Sequence, residues 1–386
     1  MAGSNFCCKF GLLFSLFYIA HVSQAQPALV SPIVVEEQLL WLAGTAGVGF
    51  YRIPLLSYTP QGSLIAVCEA RKEGYADFGP KFLAIRRSTD KGLTWGSMDY
   101  VLDDGSFYDG ISLGAIVVDD ETGSVFIMYS HCPHYDHCTV STTYLVESTD
   151  DGKTWGEPRN ISVQVGTMMF APGPGYGIQK KYEPHVGRLI VCGHSTLRGD
   201  GMFCLLSDDH GLNWRYGGML RGIPYNQAKK GGDFMPDECQ PIELPDGTVE
   251  VNIRNEGGYH CSCRMKVRSF DGGETFPLEH LTFDEALIEP AVAAGLYYNN
   301  GVMFFSNPAS TNSRSNLTLR WSYDSGTSWK DALQVWAQPS GYSTMTMLNS
   351  DPQDGEYLYM LYEKGRINQT SYEMLSFTRI SLYGFN

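Results

Sequence analysis

Three stretches of the chain have the residue types of a reaction or binding centre. Gly110-Ile-Ser112-Leu-Gly114 has the spacing of a hydrolase nucleophile elbow, in which a strained turn presents a serine. His131-Cys-Pro-His134-Tyr-Asp-His137-Cys138 has the composition of a metal site, and Gly173, Gly175 and Gly177 form a glycine-rich loop. Context argues against all three. The elbow needs a helix after its serine, whereas Ala115 to Val118 followed by Asp119-Asp-Glu-Thr-Gly123 reads as strand and hairpin. A structural zinc needs four well-placed ligands, and a disulfide between Cys132 and Cys138 is the better use of these thiols in an oxidising compartment. The glycines miss the dinucleotide fingerprint and no βαβ unit surrounds them. No metal site is expected.

The elements that must position any chemistry are set by a repeat. Ser88-Thr-Asp90-Lys-Gly92-Leu-Thr94-Trp95 recurs as Ser148 to Trp155, Ser207 to Trp214, Ser269 to Phe276 and Ser322 to Trp329. Its starts lie 60, 59, 62 and 53 residues apart. In each copy Ser and Asp side chains can satisfy local backbone N–H groups, Gly takes a positive φ, and the aromatic anchors the turn on a sheet. The copies lack the alternating ligands and final Glu of a calcium loop, so they are read as scaffold. Between them strands alternate: Val249, Val251 and Ile253 share one face, and Glu250, Asn252 and Arg254 the other. A unit of about 60 residues suits one four-stranded blade with its loops. The chain is therefore expected to be an all-β, six-bladed β-propeller with five such hairpins. Its last unit has no repeat copy and is expected to close the ring with an N-terminal strand.

A propeller is neutral about function, which must come from its site. Tyr51-Arg52-Ile53-Pro54 resembles the Phe/Tyr-Arg-Ile-Pro motif of the sialidases, and the five repeats resemble their Asp boxes. Glu69-Ala-Arg71-Lys72, Phe170-Ala-Pro-Gly-Pro-Gly175, Pro236-Asp-Glu-Cys-Gln-Pro241 and Leu361-Tyr-Glu-Lys-Gly365 resemble the lysosomal sialidases of animals in particular. The resemblance implies a retaining exo-α-sialidase that needs no cofactor and removes terminal sialic acids from glycoproteins, oligosaccharides and gangliosides.

What the resemblance implies residue by residue makes chemical sense. Sialic acid carries a carboxylate on its anomeric carbon, and rigid guanidinium forks suit that group. Arg52, Arg254 and Arg314 match the family's arginine triad, while Arg320 is a nearby decoy that serves the sheet. Tyr342 matches the nucleophile; a neutral phenol escapes the repulsion that a carboxylate would meet beside the substrate's own carboxylate. Glu238 matches the base that such a phenol needs, and Asp77 the acid/base on a loop after Arg71. Arg71 resembles a further site arginine, Glu363 the partner that orients the first triad arginine, and Asp109 a residue lining the pocket. Gly74-Tyr75-Ala76, Phe78 and Pro80 depart from the lysosomal pattern, pointing to a changed aglycone preference.

Composition bounds the remaining choices. The 386 residues are 43% apolar with 42 Gly, which excludes a wholly disordered chain, and a net charge of −14 excludes nucleic acid as a partner. Lys9, the apolar run Phe10 to Ala20 and Ser23-Gln24-Ala25 read as a signal peptide over 1–25, leaving a single catalytic propeller over 26–386. Removing Lys9 takes the charge to −14 − 1 = −15. Eight cysteines follow the leader, with Cys261 and Cys263 placed on one strand face, and Asn160, Asn316 and Asn368 head glycosylation sequons. The secretory route is expected, ending at the lysosomal lumen or membrane face or the cell surface, although Tyr383-Gly-Phe-Asn386 departs from a tyrosine sorting signal. The resemblance also implies sialylated glycoconjugates as substrates and a protective carboxypeptidase (cathepsin A) and β-galactosidase as partners. A homo-oligomer is carried as a further expectation. Two rivals stand beside the hydrolase: a non-catalytic Asp-box propeller acting as a sorting or adhesion receptor, and a trans-sialidase.

Overall fold

Runs of β-branched and aromatic residues, cut by glycine turns, fold here as short antiparallel strands. The computed structural model describes Met1 and residues 27–384 apart from 105, 136, 167–170, 195–200, 224–226, 330, 352–353 and 368. The expected leader, Phe170, Asn368 and the last two residues lie outside the described residues.

The first strand in sequence, β1 (Ile33–Leu42), is used last. One sheet holds β2 (Phe50–Tyr58), β3 (Leu64–Arg71), β4 (Lys81–Ser88) and β5 (Asp99–Asp104) in chain order. The next holds β6 (Ile111–Asp119), β7 (Ser124–His131), β8 (Thr142–Ser148) and β9 (Arg159–Asn160), with β10 (Gly175–Tyr176) added in parallel at β6. A third contains β11 (Ile178–Gln179), β12 (Leu189–His194), β13 (Gly201–Ser207) and β14 (Arg215–Arg221). A fourth contains β15 (Pro236–Glu243), β16 (Val249–Asn255), β17 (Cys263–Ser269) and β18 (Thr282–Ile288). The remaining strands are β19 (Gly295–Asn299), β20 (Val302–Pro308), β21 (Ser315–Ser322), β22 (Asp331–Thr346), β23 (Tyr357–Lys364) and β24 (Met374–Ser381). With β1 they form one seven-stranded sheet, ordered β1-β24-β23-β22-β21-β20-β19.

The fold is an all-β propeller. Strands β2, β6, β12, β15, β19 and β22 touch their neighbours in a closed circuit around the axis. The expectation of six separate blades is corrected: the described residues form four free-standing blades and the seven-stranded sheet. The cause is β22, which pairs with β21 up to Pro339 and with β23 from Ser340, so two ladders share one strand. The ring closes as expected, with Ile33 opposite Ser381 and Leu42 opposite Met374.

Each sheet packs its faces against its neighbours, so strands that alternate in sequence are buried on both sides. On β16, Val249, Val251 and Ile253 are fully buried, yet Glu250 and Asn252 are too. Across the sheet Arg268 donates to one Glu250 oxygen and Arg264 to the Asn252 amide oxygen. Only Arg254 of that polar face keeps access to the axis side.

The five boxes occupy the turns after β4, β8, β13, β17 and β21, and all use one hydrogen-bond pattern. In the first, the Ser88 hydroxyl donates to Asp90 and accepts from the Gly92 N–H, while Asp90 accepts from the Thr94 N–H and hydroxyl. The last repeats this through Ser322, Asp324, Gly326 and Ser328. Gly92 has φ +79°, and a Cβ there would lie 2.5 Å from the Phe377 ring of the adjacent sheet. The boxes therefore pin each turn against its neighbour, which is the scaffold role expected.

Three disulfides join Cys132–Cys138, Cys192–Cys204 and Cys261–Cys263, and Cys68 and Cys239 are buried free thiols. The Cys132–Cys138 expectation is met. Cys261 lies in the bend before β17, so the shared strand face is not. Asn160 is exposed, whereas the Asn316 amide is half-buried and tied to Ala309 and Gln334.

The hydroxyl and N–H donors around Asp324 overcome its slight dehydration and hold its carboxyl at about 2. A depressed carboxyl contributes stability that is complete above its unfolded value and is lost as pH falls through the folded one. Asp324→Ala is expected to lower Tm by about 2–4 °C at pH 5 and pH 7 alike, with the difference shrinking below pH 4. Calorimetry across that range checks it, and an unchanged Tm at pH 7 would remove the box from the stabilising frame.

Candidate active site

Three strands break register where their side chains are needed at the axis. The shifts fall between Arg52 and Leu55 on β2, Pro236 and Cys239 on β15, and Ser340 and Ser343 on β22. A bulge re-aims a side chain and frees a backbone N–H from the ladder. At the first, Ile53 takes φ +57°, uncommon for a β-branched residue, and its N–H turns to Glu363. At the third, the Tyr342 N–H turns to the same carboxylate at 3.0 Å.

Tyr342 is the hub of the constellation. Its hydroxyl donates a hydrogen bond to Glu238, and Arg254 Nη1 lies 3.4 Å from it and 2.6 Å from the other Glu238 oxygen. The guanidinium carbons of Arg52 and Arg314 lie 5.3 and 5.7 Å from the centre of the Tyr342 ring. Burial and the Glu238 carboxylate push the phenol well above its ordinary range, and three arginines only partly oppose them. The phenol thus keeps its proton at neutral pH and directs it at the Glu238 carboxylate.

Arg52 is 5% exposed and holds Glu363 through Nε at 3.0 Å. Burial opposes its charge, but Glu363 and the facing tyrosines outweigh that and hold it more firmly protonated. Asp77, 68% exposed, reaches Arg71 at 2.9 Å and Arg52 at 3.4 Å. Partial dehydration raises its carboxyl, yet the two guanidinium groups prevail and leave it below the ordinary carboxylate range. Arg71 also holds Glu69 and the carbonyls of Tyr75 and Ala76, so it shapes the Asp77 loop more than it reaches outward. Arg314 donates to the Tyr372 hydroxyl at 2.9 Å and to the Ala291 carbonyl at 3.2 Å. Arg320 donates instead to Asn307 within the sheet, as expected of a decoy.

The structure brings together Arg52, Arg71, Asp77, Glu238, Arg254, Arg314, Tyr342 and Glu363. Asp109 is the exception and corrects the expectation that it lines the pocket. It is fully buried, accepting from the His134 N–H and contacting the His134 ring at 3.0 Å. His134 lines the cavity in its place, with Asp77, Glu238 and Tyr342, around about 220 Å³. Asp109 also approaches Cys132 and Cys138, but both sulfurs are committed to their disulfide and cannot serve a metal as thiolates. Ser112 sits on β6 opposite Ser130, without the turn of an elbow.

Several participants were not foreseen. Buried Lys81 donates to the carbonyls of Asp77 and Ile111, tethering the acid's loop from below. Tyr372 lies 3.9 Å under the Arg52 guanidinium. Glu256 pairs with Arg254 Nη2 on the side away from Glu238. The one available signal was the i, i+2 spacing of Glu69 and Arg71, which puts both on one strand face. Nothing local distinguishes Tyr372 among 23 tyrosines.

With this geometry in place, comparison with known proteins is informative. Residues 62–359 match the family described as BNR repeat-like domain. A sialidase of Micromonospora viridifaciens is 32% identical over 390 residues, covering 90% of this chain and 56% of that protein. The chain thus spans little more than half of that relative. Sialidase-4 of Homo sapiens is 23% identical over 439 residues, covering 86% of this chain and 90% of its own. The solved structure of the Hadza microbial sialidase Hz136 has a TM-score of 0.69 at 25% identity, covering 87% of this chain and 66% of that one.

Glu363 gives the sharpest test of the geometry. Removing one partner of a buried pair leaves an uncompensated charge, at a cost of about 3–5 kcal/mol. Glu363→Gln is therefore expected to lose that much in urea unfolding. A loss below about 1 kcal/mol would show that Arg52 does not depend on this carboxylate.

Proposed function

This chain belongs to the BNR repeat-like, Asp-box family of the sialidases, and from that premise we propose that it is a retaining exo-α-sialidase. The carrying observation is one cluster: the Tyr342 hydroxyl bonded to Glu238, with Arg52, Arg254 and Arg314 disposed around the ring. A receptor propeller needs no buried phenol held against a base by three cations. We read the seven-stranded sheet as two blades sharing β22, which makes a six-bladed catalytic propeller over 26–386 behind a leader at 1–25.

In the proposed reaction the substrate carboxylate docks on the three guanidinium groups. The Tyr342 oxygen attacks the anomeric carbon as its proton passes to Glu238, and Asp77 gives a proton to the departing oxygen. Asp77 then takes a proton from water, whose oxygen displaces Tyr342 from the sugar, and Glu238 returns the proton to the phenol. Two inversions give retention. The substrates are terminal sialic acids on glycoproteins, oligosaccharides and gangliosides. The lysosomal-type motifs support a secretory and lysosomal setting, with a cathepsin A-like carboxypeptidase and a β-galactosidase as companions.

Release of a fluorophore from a sialic acid conjugate at pH 4 to 7 tests the activity. Tyr342→Phe is expected to lose about 10²–10⁴-fold in kcat, and NMR of the first-formed sugar to show the α anomer. Wild-type turnover no greater than the variant's would favour the receptor reading, and transfer to an added galactoside would favour trans-sialidase.

The pairing of Asp77 with Arg71 fixes the sign of a second test. An acid whose carboxyl lies low in the free enzyme makes kcat/KM rise as pH falls. Arg71→Gln removes a cation and raises that carboxyl, so the alkaline limb of kcat/KM should move to higher pH. A limb that stays in place would mean that Asp77 is not the group being titrated.

A further inference from the structure

Resting on the sialidase reading, we propose that Tyr372 is a positioning residue, which aims Arg314 at the substrate carboxylate and seats Arg52 beside it. The three arginines around Tyr342 are held in different ways. Arg52 is paired with Glu363 and Asp77, and Arg254 with Glu238 and Glu256. Among the described residues Arg314 has no carboxylate partner; its Nη1 donates to the Tyr372 hydroxyl at 2.9 Å and its Nη2 to the Ala291 carbonyl at 3.2 Å. A long side chain that must present a fork needs fixed acceptors, or it loses rotamer freedom when the ligand binds. A hydroxyl fixes the fork without setting a carboxylate beside it. The cation therefore keeps its full pull on an incoming anion.

The same side chain serves Arg52 with its ring. The Arg52 guanidinium carbon lies 3.9 Å from the centre of the Tyr372 ring, against 5.3 Å for Tyr342. Stacking occupies the face of a guanidinium and leaves its edge N–H groups able to bind oxygen. Tyr372 also packs on Tyr75 with ring centres 6.1 Å apart, and Tyr75 meets Phe50 at 5.8 Å. Tyr75 stands just before Asp77 in the chain, so one side chain touches two arginines and the acid's loop. The segment that carries Tyr372 is tied down at either end. The Gly365 N–H donates to the Pro339 carbonyl at 2.8 Å, and the Ala43 N–H to the Glu373 carbonyl at 2.9 Å.

Tyr372→Phe keeps the ring and removes only the acceptor. The substrate carboxylate is present in the ground and transition states alike, so the loss should fall on KM. KM for a fluorogenic sialoside is expected to rise about three- to tenfold, with kcat held within about twofold. Inhibition by free sialic acid should weaken by the same factor, while inhibition by its uncharged carboxamide stays within about twofold. Equal weakening of both would overturn the proposal, because Tyr372 would then only shape the wall; so would an unchanged KM. NMR of the guanidinium nitrogens reads the positioning without turnover, the Arg314 signal being identified by its loss in Arg314→Lys. Rotation of the Arg314 fork should be hindered in wild type and released in Tyr372→Phe, with Arg52 unchanged; Tyr372→Leu should loosen both. Identical spectra in all three proteins would overturn the proposal. If wild type hydrolyses no sialoside, the activity reading fails, while these spectra still decide whether Tyr372 holds the two arginines.

Discussion

A buried carboxylate that must be satisfied governs how this molecule is assembled. Glu363 on β23 is fully enclosed and accepts from the Arg52 side chain, the Ile53 N–H and the Tyr342 N–H. Those donors come from β2 and β22, so a slip of either strand would strand a charge away from water. Glu69 on β3 repeats the device with Arg71, Lys81 and the Leu113 N–H of the next sheet. Its burial would raise the carboxyl, yet Lys81 and Arg71 prevail and lower it. Both acids take backbone donors from a neighbouring sheet, so the register between sheets and the placement of the site arginines share one cause.

The boxes and the site divide the work by position. The boxes close turns between the third and fourth strands, away from the axis, and their hydrogen bonds are nearly all local. The site is drawn from inner strands and the loops that leave them, and the bonds Arg52–Glu363 and Tyr342–Glu238 join residues more than a hundred positions apart. A frame stabilised locally at its rim can hold strained features at its hub, such as the positive φ of Ile53.

The repeat, the ring closure and most of the constellation were legible because they are written as motifs of fixed spacing. The shared strand was not. Pro339 ends one ladder as Ser340 begins another, so the proline sits where the strand changes partner, and nothing in the local sequence announces that one strand serves both. Asp109 was misplaced because its motif says nothing of burial, and its role emerged only once the Cys132–Cys138 loop folded over it. Lys81 and Tyr372 left no local trace, since their partners lie on other loops or strands. The two faces of β16 were legible from alternation, but their burial was not, because packing between sheets covers both.

Under the proposed reaction, a chain of charge −14 must select an anion, and the electrostatics of the resting site bear on how. Arg52 holds Asp77 and Glu363, Arg254 holds Glu238 and Glu256, and Arg71 holds Asp77 and Glu69. An incoming carboxylate must displace exposed partners, and the exposed ones are Asp77 and Glu256, not the buried Glu363 or Glu69. Burial raises the Glu256 carboxyl despite Arg254, whereas the Asp77 carboxyl is lowered, so as pH falls Glu256 takes up its proton before Asp77 does. Under the proposed reaction, drawing Arg52 away from Asp77 also removes a cation that depresses the acid, which then gains proton affinity as the leaving oxygen comes to need a proton. Binding energy at the carboxylate is thereby carried to the bond that breaks, where it lowers the barrier and not merely KM.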